Sequence, residues 1–299
     1  MWGNLRFGWR ASEALMPSLE KNRPTIIHVN DHPDALLGLE LARRLDTAPV
    51  MTLRTPGMTE RDFRKYRCGD YRHLIAVGED LYERVRRWAG DVPVSLVYNG
   101  VTDDEILPPA AAPPVLGAVL VLGSLSPRKG WQDMVEALSA LENRLPREQE
   151  LPEIHFLGDL LGEDPSKALG LERLGRFRVK FLGVTSAYRE TLRNYSLSIH
   201  PSRSESFGMA ALECVAAGVP LLSASAGMIP AFTPCGDFLY EPGDAAGLAE
   251  KLGKLLQQDP EGLVTAFRFP EAETIIREKF STGGTVMRLA EVYYRVAAE

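Results

Sequence analysis

Glu205 and Glu213 are the residues of this sequence whose surroundings most ask for a chemical reason. Glu213 stands in the run MAALECVAAGVP (209–220), a helical pattern stopped by Gly218 and Pro220. On a helix over 207–217, its neighbours one turn away are Met209, Ala210, Ala216 and Ala217. A solvated helix face would carry a polar stripe through Glu213, and the sequence has none there. A carboxylate among small apolar groups needs a polar partner or carries a heavy desolvation cost. The hydroxyls of a ligand would serve. Glu205 lies eight positions earlier, and eight helical residues rise about 12 Å. Carboxylates that far apart hold two ends of an extended ligand, not one atom. Between them, the N–H groups of Phe207, Gly208 and Met209 open the helix at the positive end of its dipole, a setting for phosphate. Gly208 permits close approach of the backbone. The implied ligand has hydroxyls at both ends and phosphate between them, and a nucleotide sugar is one such molecule.

Strand and helix signals alternate on either side of this stretch. Apolar strands are expected at TIIHVN (25–30), PVMTLR (49–54), HLIAVG (73–78) and PVSLVY (93–98). The helical patterns PDALLGLELARRL and EDLYERVRRW fall between them. After a proline-rich spacer, LPPAAAPP (107–114), strands resume at 118–123, 153–158, 179–183, 197–202 and 220–225. Helices are expected at WQDMVEALSALENRL, AYRETLRNY, 244–257 and 285–298. This repetition predicts an α/β fold of two Rossmann-like lobes with parallel sheets, whose ligands sit at the carboxyl ends of the strands. The expected division is 1–112 for a first lobe, 113–280 for a second, and 281–299 for a C-terminal helix packing back towards the first.

At 299 residues, 45% hydrophobic and 25% charged, the chain has the composition of a globular two-domain protein. A net charge of −6 argues against a nucleic-acid partner. Residues 1–100 carry 15 basic and 13 acidic side chains, which leaves room for an anionic acceptor or peripheral membrane contact there. Cys68, Cys214 and Cys235 have no metal-ligand spacing, and the expectation is a reducing cytoplasm. The N-terminus has no signal-peptide pattern, and no stretch supplies the roughly 20 unbroken apolar residues of a membrane span.

The stretch 200–222, HPSRSESFGMAALECVAAGVPLL, resembles the donor-binding motif of the retaining nucleotide-sugar glycosyltransferases of GT-B fold, a glutamate pair separated by seven residues. Asn99-Gly100-Val101, GSLSPRKG (123–130), FLGD (156–159), FLGVTS (181–186) and LYEPGD (239–244) resemble further motifs in family order. The resemblance implies a metal-independent transferase that moves a sugar from a nucleotide-diphosphate sugar to an unknown saccharide, lipid-linked or small-molecule acceptor. It implies no cofactor beyond the donor itself.

By the same resemblance, Glu213 binds the donor ribose and Glu205 the hydroxyls of the donor sugar. Phe207, Gly208 and Met209 offer backbone N–H groups to sugar and phosphate, beside Ser206. Lys129 neutralises the leaving diphosphate, with Gly123, Ser124, Arg128 and Gly158 completing the donor set. Ser124 stands where the family most often has arginine, and Arg128 is the candidate to replace that guanidinium. In HVNDH (28–32), His28 is the candidate catalytic histidine facing the acceptor and His32 the runner-up. Arg54 occupies a position where many relatives carry histidine.

The family's first lobe opens with strands and a glycine-rich loop, whereas here about 24 residues precede the first strand. They read as one amphipathic helix with Trp9, Leu15, Met16 and Leu19 on one side. A fragment, a shortened enzyme and a chain completed by a partner all fit this reading. An incomplete sheet leaves an edge that favours self-association. The sequence contains no Asp-x-Asp, Walker loop, Gly-x-Gly-x-x-Gly or Gly-x-Ser-x-Gly. A glycosidase would need carboxylates about 5–10 Å apart around one bond. The rival readings are a non-catalytic nucleotide-sugar-binding or scaffold subunit and a sugar-nucleotide epimerase of the same architecture.

Overall fold

The computed structural model describes the backbone of residues 2–109, 117–159, 173–185 and 188–298, and side chains over 11–109, 117–159, 175–185 and 190–298. The side chain of Trp9 and most of the proline-rich spacer, 110–116, lie outside the described residues. The chain divides into two compact units, residues 1–100 with 282–299, and residues 101–281.

The first unit opens with α1 (Trp2–Lys21) and continues with β1 (Ile26–Asn30), α2 (Ala35–Leu45), β2 (Ala48–Leu53), α3 (Glu60–Lys65), β3 (His73–Ala76), α4 (Glu79–Trp88) and β4 (Val94–Leu96). Its sheet is parallel in the order β1-β2-β3-β4. β3 is buried along its whole length, as a central strand covered on both faces must be. α2 meets the sheet through Gly38, where a Cβ would come within 2.1 Å of Val29 Cγ2. Tyr71 locks this contact by donating its hydroxyl hydrogen to Ala35 O at 2.6 Å.

The second unit comprises β5 (Ala118–Leu122), α5 (Trp131–Glu142), β6 (Glu153–Leu157), β7 (Arg173–Leu174), β8 (Phe177–Gly183), α6 (Tyr188–Leu192), β9 (Ser198–His200), α7 (Met209–Ala216), β10 (Leu221–Ala224) and α8 (Ile229–Phe232). β11 (Leu239–Tyr240), α9 (Ala245–Leu255), α10 (Pro260–Phe267) and α11 (Phe269–Lys279) complete it. The strand order is β11-β10-β9-β5-β6-β8-β7, with only β7 antiparallel. The C-terminal helix α12 (Thr282–Ala298) returns to the first unit.

The two parallel sheets agree with the sequence reading. The helix expected over 207–217 is shorter, because Gly208 adopts a φ of 100° and α7 begins only at Met209. Glu205 therefore precedes the helix, and the 12 Å helical rise does not describe the distance between the two glutamates. β7, β11, α3, α8, α10 and α11 were not expected. Pro260 and Pro270 lie in the first turns of α10 and α11, where a missing N–H is harmless. Among the described residues no helix is long and apolar enough to cross a membrane.

Candidate functional site

β5 and β9 are adjacent in the second sheet and deliver their C-terminal residues to the same side. After β5 the chain passes Gly123 and Ser124 into a tight turn, Pro127–Lys129, and enters α5 through Gly130 at φ 68°. Gly130 lies so close to the segment after β9 that a Cβ would be 1.8 Å from Pro201 O. Any side chain there would push the two segments apart. They are also tied by reciprocal hydrogen bonds. Arg203 N donates to Arg128 O, and the Arg128 guanidinium donates to Ser204 O, both at 2.9 Å.

This close approach gathers charge around Glu205. Lys129 Nζ lies 2.5 Å from Glu205 Oε1, Arg128 Nη1 lies 3.7 Å from Oε2, and His200 Nε2 lies 3.2 Å from Oε1. The Glu205 side chain is only 10% exposed. Burial works against its ionisation, but the hydrogen bond from His200 and the Lys129 ammonium prevail and hold the carboxyl at about 2. An ionised carboxylate can only accept, so His200 carries its proton on Nε2, which also lies 3.1 Å from Ser202 Oγ. His200 is 1% exposed, and its Nδ1 has no hydrogen-bond partner among the described residues. Behind the segment, Arg203 grips the buried Asp133 of α5 with two hydrogen bonds, one of them Nε to Oδ2 at 2.9 Å. Arg128 and Lys129 against Glu205 leave one positive charge in excess, even with His200 neutral. That surplus suits an anion.

The remaining residues of the expected donor set are spread along this side of the sheet. Gly158 follows β6 and its N–H donates to Gly183 O at 2.9 Å. Ser124 Oγ reaches only as far as Ser126 Oγ, 3.4 Å away. Arg128 donates to Ser204 O and lies near Glu205. Phe207 turns its ring into the core against Phe280, with centroids 5.6 Å apart, so only its backbone can face a ligand. Ser206 links it to Glu205. Gly208 is the cap of α7, packed where a Cβ would meet Ile229 at 2.6 Å, and Met209 is the first helical residue.

Glu213, half-buried on α7, lines a cavity of about 380 Å³ floored by Leu107, Leu192 and Ala217. Charged neighbours Glu190 and Arg193 come to this cavity from α6 and its end. The apolar surroundings read along one helix are thus incomplete, because a neighbouring helix supplies polar groups.

In the first unit, His28 sits mid-way along β1. Its Nδ1 is 2.5 Å from the Tyr293 hydroxyl and its Nε2 is 2.8 Å from Thr52 Oγ1. Burial lowers its pKa, with a smaller contribution from the Arg54 charge. Arg54 bridges Asn30 Oδ1 at 2.6 Å and Asn99 Oδ1 at 2.9 Å. Asp31, at a φ of 124°, accepts from Thr55 Oγ1, His32 N and Arg54 N. His32 Nδ1 lies 3.1 Å from Thr55 Oγ1 and 3.3 Å from Asp31.

Sequence reading missed His200, Asp133, Arg203 and Asp31. His200 reads as a strand-end histidine, and its spacing of five to Glu205 is the one local signal. Asp133 and Arg203 lie seventy positions apart and carry no local signal at all.

The family described as "Glycosyl transferases group 1" matches residues 110–266, and "Glycosyltransferase Family 4" matches residues 2–105. A D-inositol 3-phosphate glycosyltransferase of Streptomyces scabiei is 30% identical over 244 residues, covering 74% of this chain and 53% of that protein. An N-acetyl-alpha-D-glucosaminyl L-malate synthase of Bacillus anthracis is 33% identical over 121 residues, 40% of this chain and 31% of that protein. The chain thus spans about half the length of the first relative and a third of the second. Among solved structures, sucrose-phosphate synthase from Thermosynechococcus elongatus superposes with a TM-score of 0.79 at 19% identity, covering 98% of this chain and 79% of that one. Anabaena HepE in complex with UDP-glucose gives 0.76 at 19% identity, with coverage of 96% and 82%. At these identities the likeness is one of fold, two Rossmann-like lobes of the GT-B kind.

Proposed function

The chain belongs to the glycosyl transferases group 1 family, and on that premise we propose that it transfers a sugar from a nucleotide-diphosphate sugar to an acceptor hydroxyl, with retention at the anomeric carbon. The observation that carries this reading is the cluster of Lys129, Arg128 and His200 around the ionised Glu205 at the carboxyl ends of β5 and β9. Breaking a glycosidic bond to a diphosphate builds negative charge on the leaving group. A preorganised ammonium and guanidinium stabilise that charge as it develops. Lys129 and Arg128 fill this role without a metal ion. When donor binds, Lys129 exchanges part of its contact with Glu205 for the diphosphate, and the freed carboxylate oxygen accepts from the sugar hydroxyls. Gly208 and Met209 open the first turn of α7 towards the same phosphates. Glu213 binds the ribose hydroxyls. The leaving phosphate takes the acceptor's proton while the protein positions the two reactants. His28 lines the acceptor side in this scheme.

One observation favours the rival reading, a nucleotide-sugar-binding subunit without turnover. Both ring nitrogens of His28 are already engaged by Tyr293 and Thr52. A panel of UDP-, GDP-, ADP- and dTDP-sugars, followed by thermal shift with free nucleotide measured in the same wells, separates the two. Ligand at 100 times its dissociation constant stabilises the chain by about 2.7 kcal/mol. Stabilisation with nucleotide release supports the transferase, stabilisation alone supports the binding subunit, and no response to any donor contradicts both.

A further inference from the structure

The segment between β9 and α7, residues 201–208, carries Glu205 and belongs to no helix or strand. Its course is set by what ties it to the turn before α5, the turn that carries Arg128 and Lys129. Lys129 Nζ reaches Glu205, and the Arg128 guanidinium reaches Ser204 O and Glu205. These are the cations that a diphosphate would recruit, so both ties loosen when donor binds. Arg203 makes a tie of another kind. Its guanidinium forks onto Asp133, Nε to Oδ2 at 2.9 Å and Nη2 to Oδ1. Asp133 stands in the first turn of α5, and its side chain is 1% exposed. It lies where the two segments touch, since a Cβ on Gly130 would come within 3.2 Å of its Oδ2 and 1.8 Å of Pro201 O. Arg203 is thus committed to a carboxylate that is closed to water.

Stability alone does not ask for this pair. Apolar residues of similar volume often replace a buried ion pair without loss. The fork supplies direction instead, because its two N–H···O bonds fix the plane of the guanidinium against the carboxylate. Arg203 N also donates to Arg128 O at 2.9 Å, so backbone and side chain of this residue are both held to the α5 side. Glu205 follows two positions later. At a reacting centre, a misplacement of about 1 Å costs about 100-fold in rate.

We propose that Arg203 and Asp133 are positioning residues for transfer. Their pair holds the Glu205 segment in register with the Lys129 turn once the diphosphate has drawn Lys129 and Arg128 to itself. The inference rests on the proposed sugar transfer, and it separates two effects. Donor affinity draws on Lys129, Arg128 and the first N–H groups of α7, none of them a side-chain partner of the pair. Turnover draws on where Glu205 stands against the donor sugar.

The test is release of free nucleotide from the nucleotide sugar that the panel identifies, with kcat and donor KM measured separately. Arg203→Lys keeps the charge beside Asp133 and removes the fork. It should lower kcat about tenfold and change donor KM by no more than about threefold. The double variant Asp133→Leu with Arg203→Met replaces the pair by apolar groups. It should melt within a few degrees of the unaltered chain and lose about 100-fold in kcat. A purely structural pair would show the reverse, a lowered melting temperature with kcat per folded molecule unchanged, and that result overturns the proposal. Unchanged kcat in Arg203→Lys overturns it as well, and so does a loss carried by donor KM alone. No release by the unaltered chain contradicts the proposed transfer and this inference together. Release indifferent to both sets of substitutions contradicts this inference alone.

Discussion

The polar clusters of the two units are built on opposite principles. In the first unit, His28 and Arg54 meet mainly neutral partners: Thr52, Tyr293, Asn30 and Asn99. In the second, Glu205 draws Lys129, Arg128 and His200 to one carboxylate, and positive charge is left over. A cluster of neutral partners holds a fold together with modest electrostatic cost. A cluster with surplus charge is costly unless an anion completes it. The difference is the basis of the proposal that places the donor chemistry in the second unit.

The sharpest way to break this contrast is Glu205→Ala. With the sugar's hydroxyl acceptor gone, turnover should fall by about 100-fold, with a smaller effect on nucleotide affinity, measured by release of free nucleotide. Normal turnover would remove Glu205 from the site. The same residue should also leave a mark on acid stability. Its folded pKa of about 2 lies below the ordinary carboxylate value of 4.5, so the native state binds fewer protons than the unfolded state between these values. The resulting stabilisation, about 3 kcal/mol, is complete above pH 4.5 and is lost as pH falls towards 2. Glu205→Gln should therefore flatten the acid limb of a denaturation series relative to the unaltered chain. A parallel limb contradicts the pairing.

Glu213→Gln should weaken nucleotide-sugar binding about tenfold, near the 1.5–3 kcal/mol of a hydrogen bond to a charged group, without lowering the melting temperature. Calorimetry with the donor found in the panel checks it. The smallest effect is expected in the first unit. Tyr293→Phe removes the hydroxyl at His28 and should cost about 1 kcal/mol of stability while leaving nucleotide affinity unchanged. A change in affinity would show the two clusters to be less distinct than described.

Much of this architecture was legible because buried parallel strands announce themselves as apolar runs, HLIAVG and AVLVLG among them. The glutamate pair was legible because a carboxylate among alanines is out of place. The geometry joining the pair was not, since one glycine at φ 100° moves the helix start past Glu205. Of the groups that complete the site, Lys129 and Arg128 were named by the family resemblance, but their pairing with Glu205, and the whole Asp133–Arg203 contact, were out of reach. Glu205 meets Lys129 from 76 positions away, and Arg203 meets Asp133 from 70. Such pairings follow from strand order, with β9 beside β5, and strand order is not written in any local pattern. His200 was hidden differently, as one more strand-end histidine whose meaning depends on the backbone turn that returns Glu205 to it.

The surplus charge in the second unit is the centre of this account, and nucleoside diphosphate affinity measures it directly. Calorimetric titration of the chain and of Lys129→Met with UDP, GDP and ADP would compare the site with and without its ammonium. At least one diphosphate should bind, and the substitution should weaken it by about 10- to 100-fold, the 1.5–3 kcal/mol of a charged hydrogen bond. Equal affinity in both proteins, or no binding of any diphosphate, would contradict the assignment of the donor site to Lys129 and Glu205.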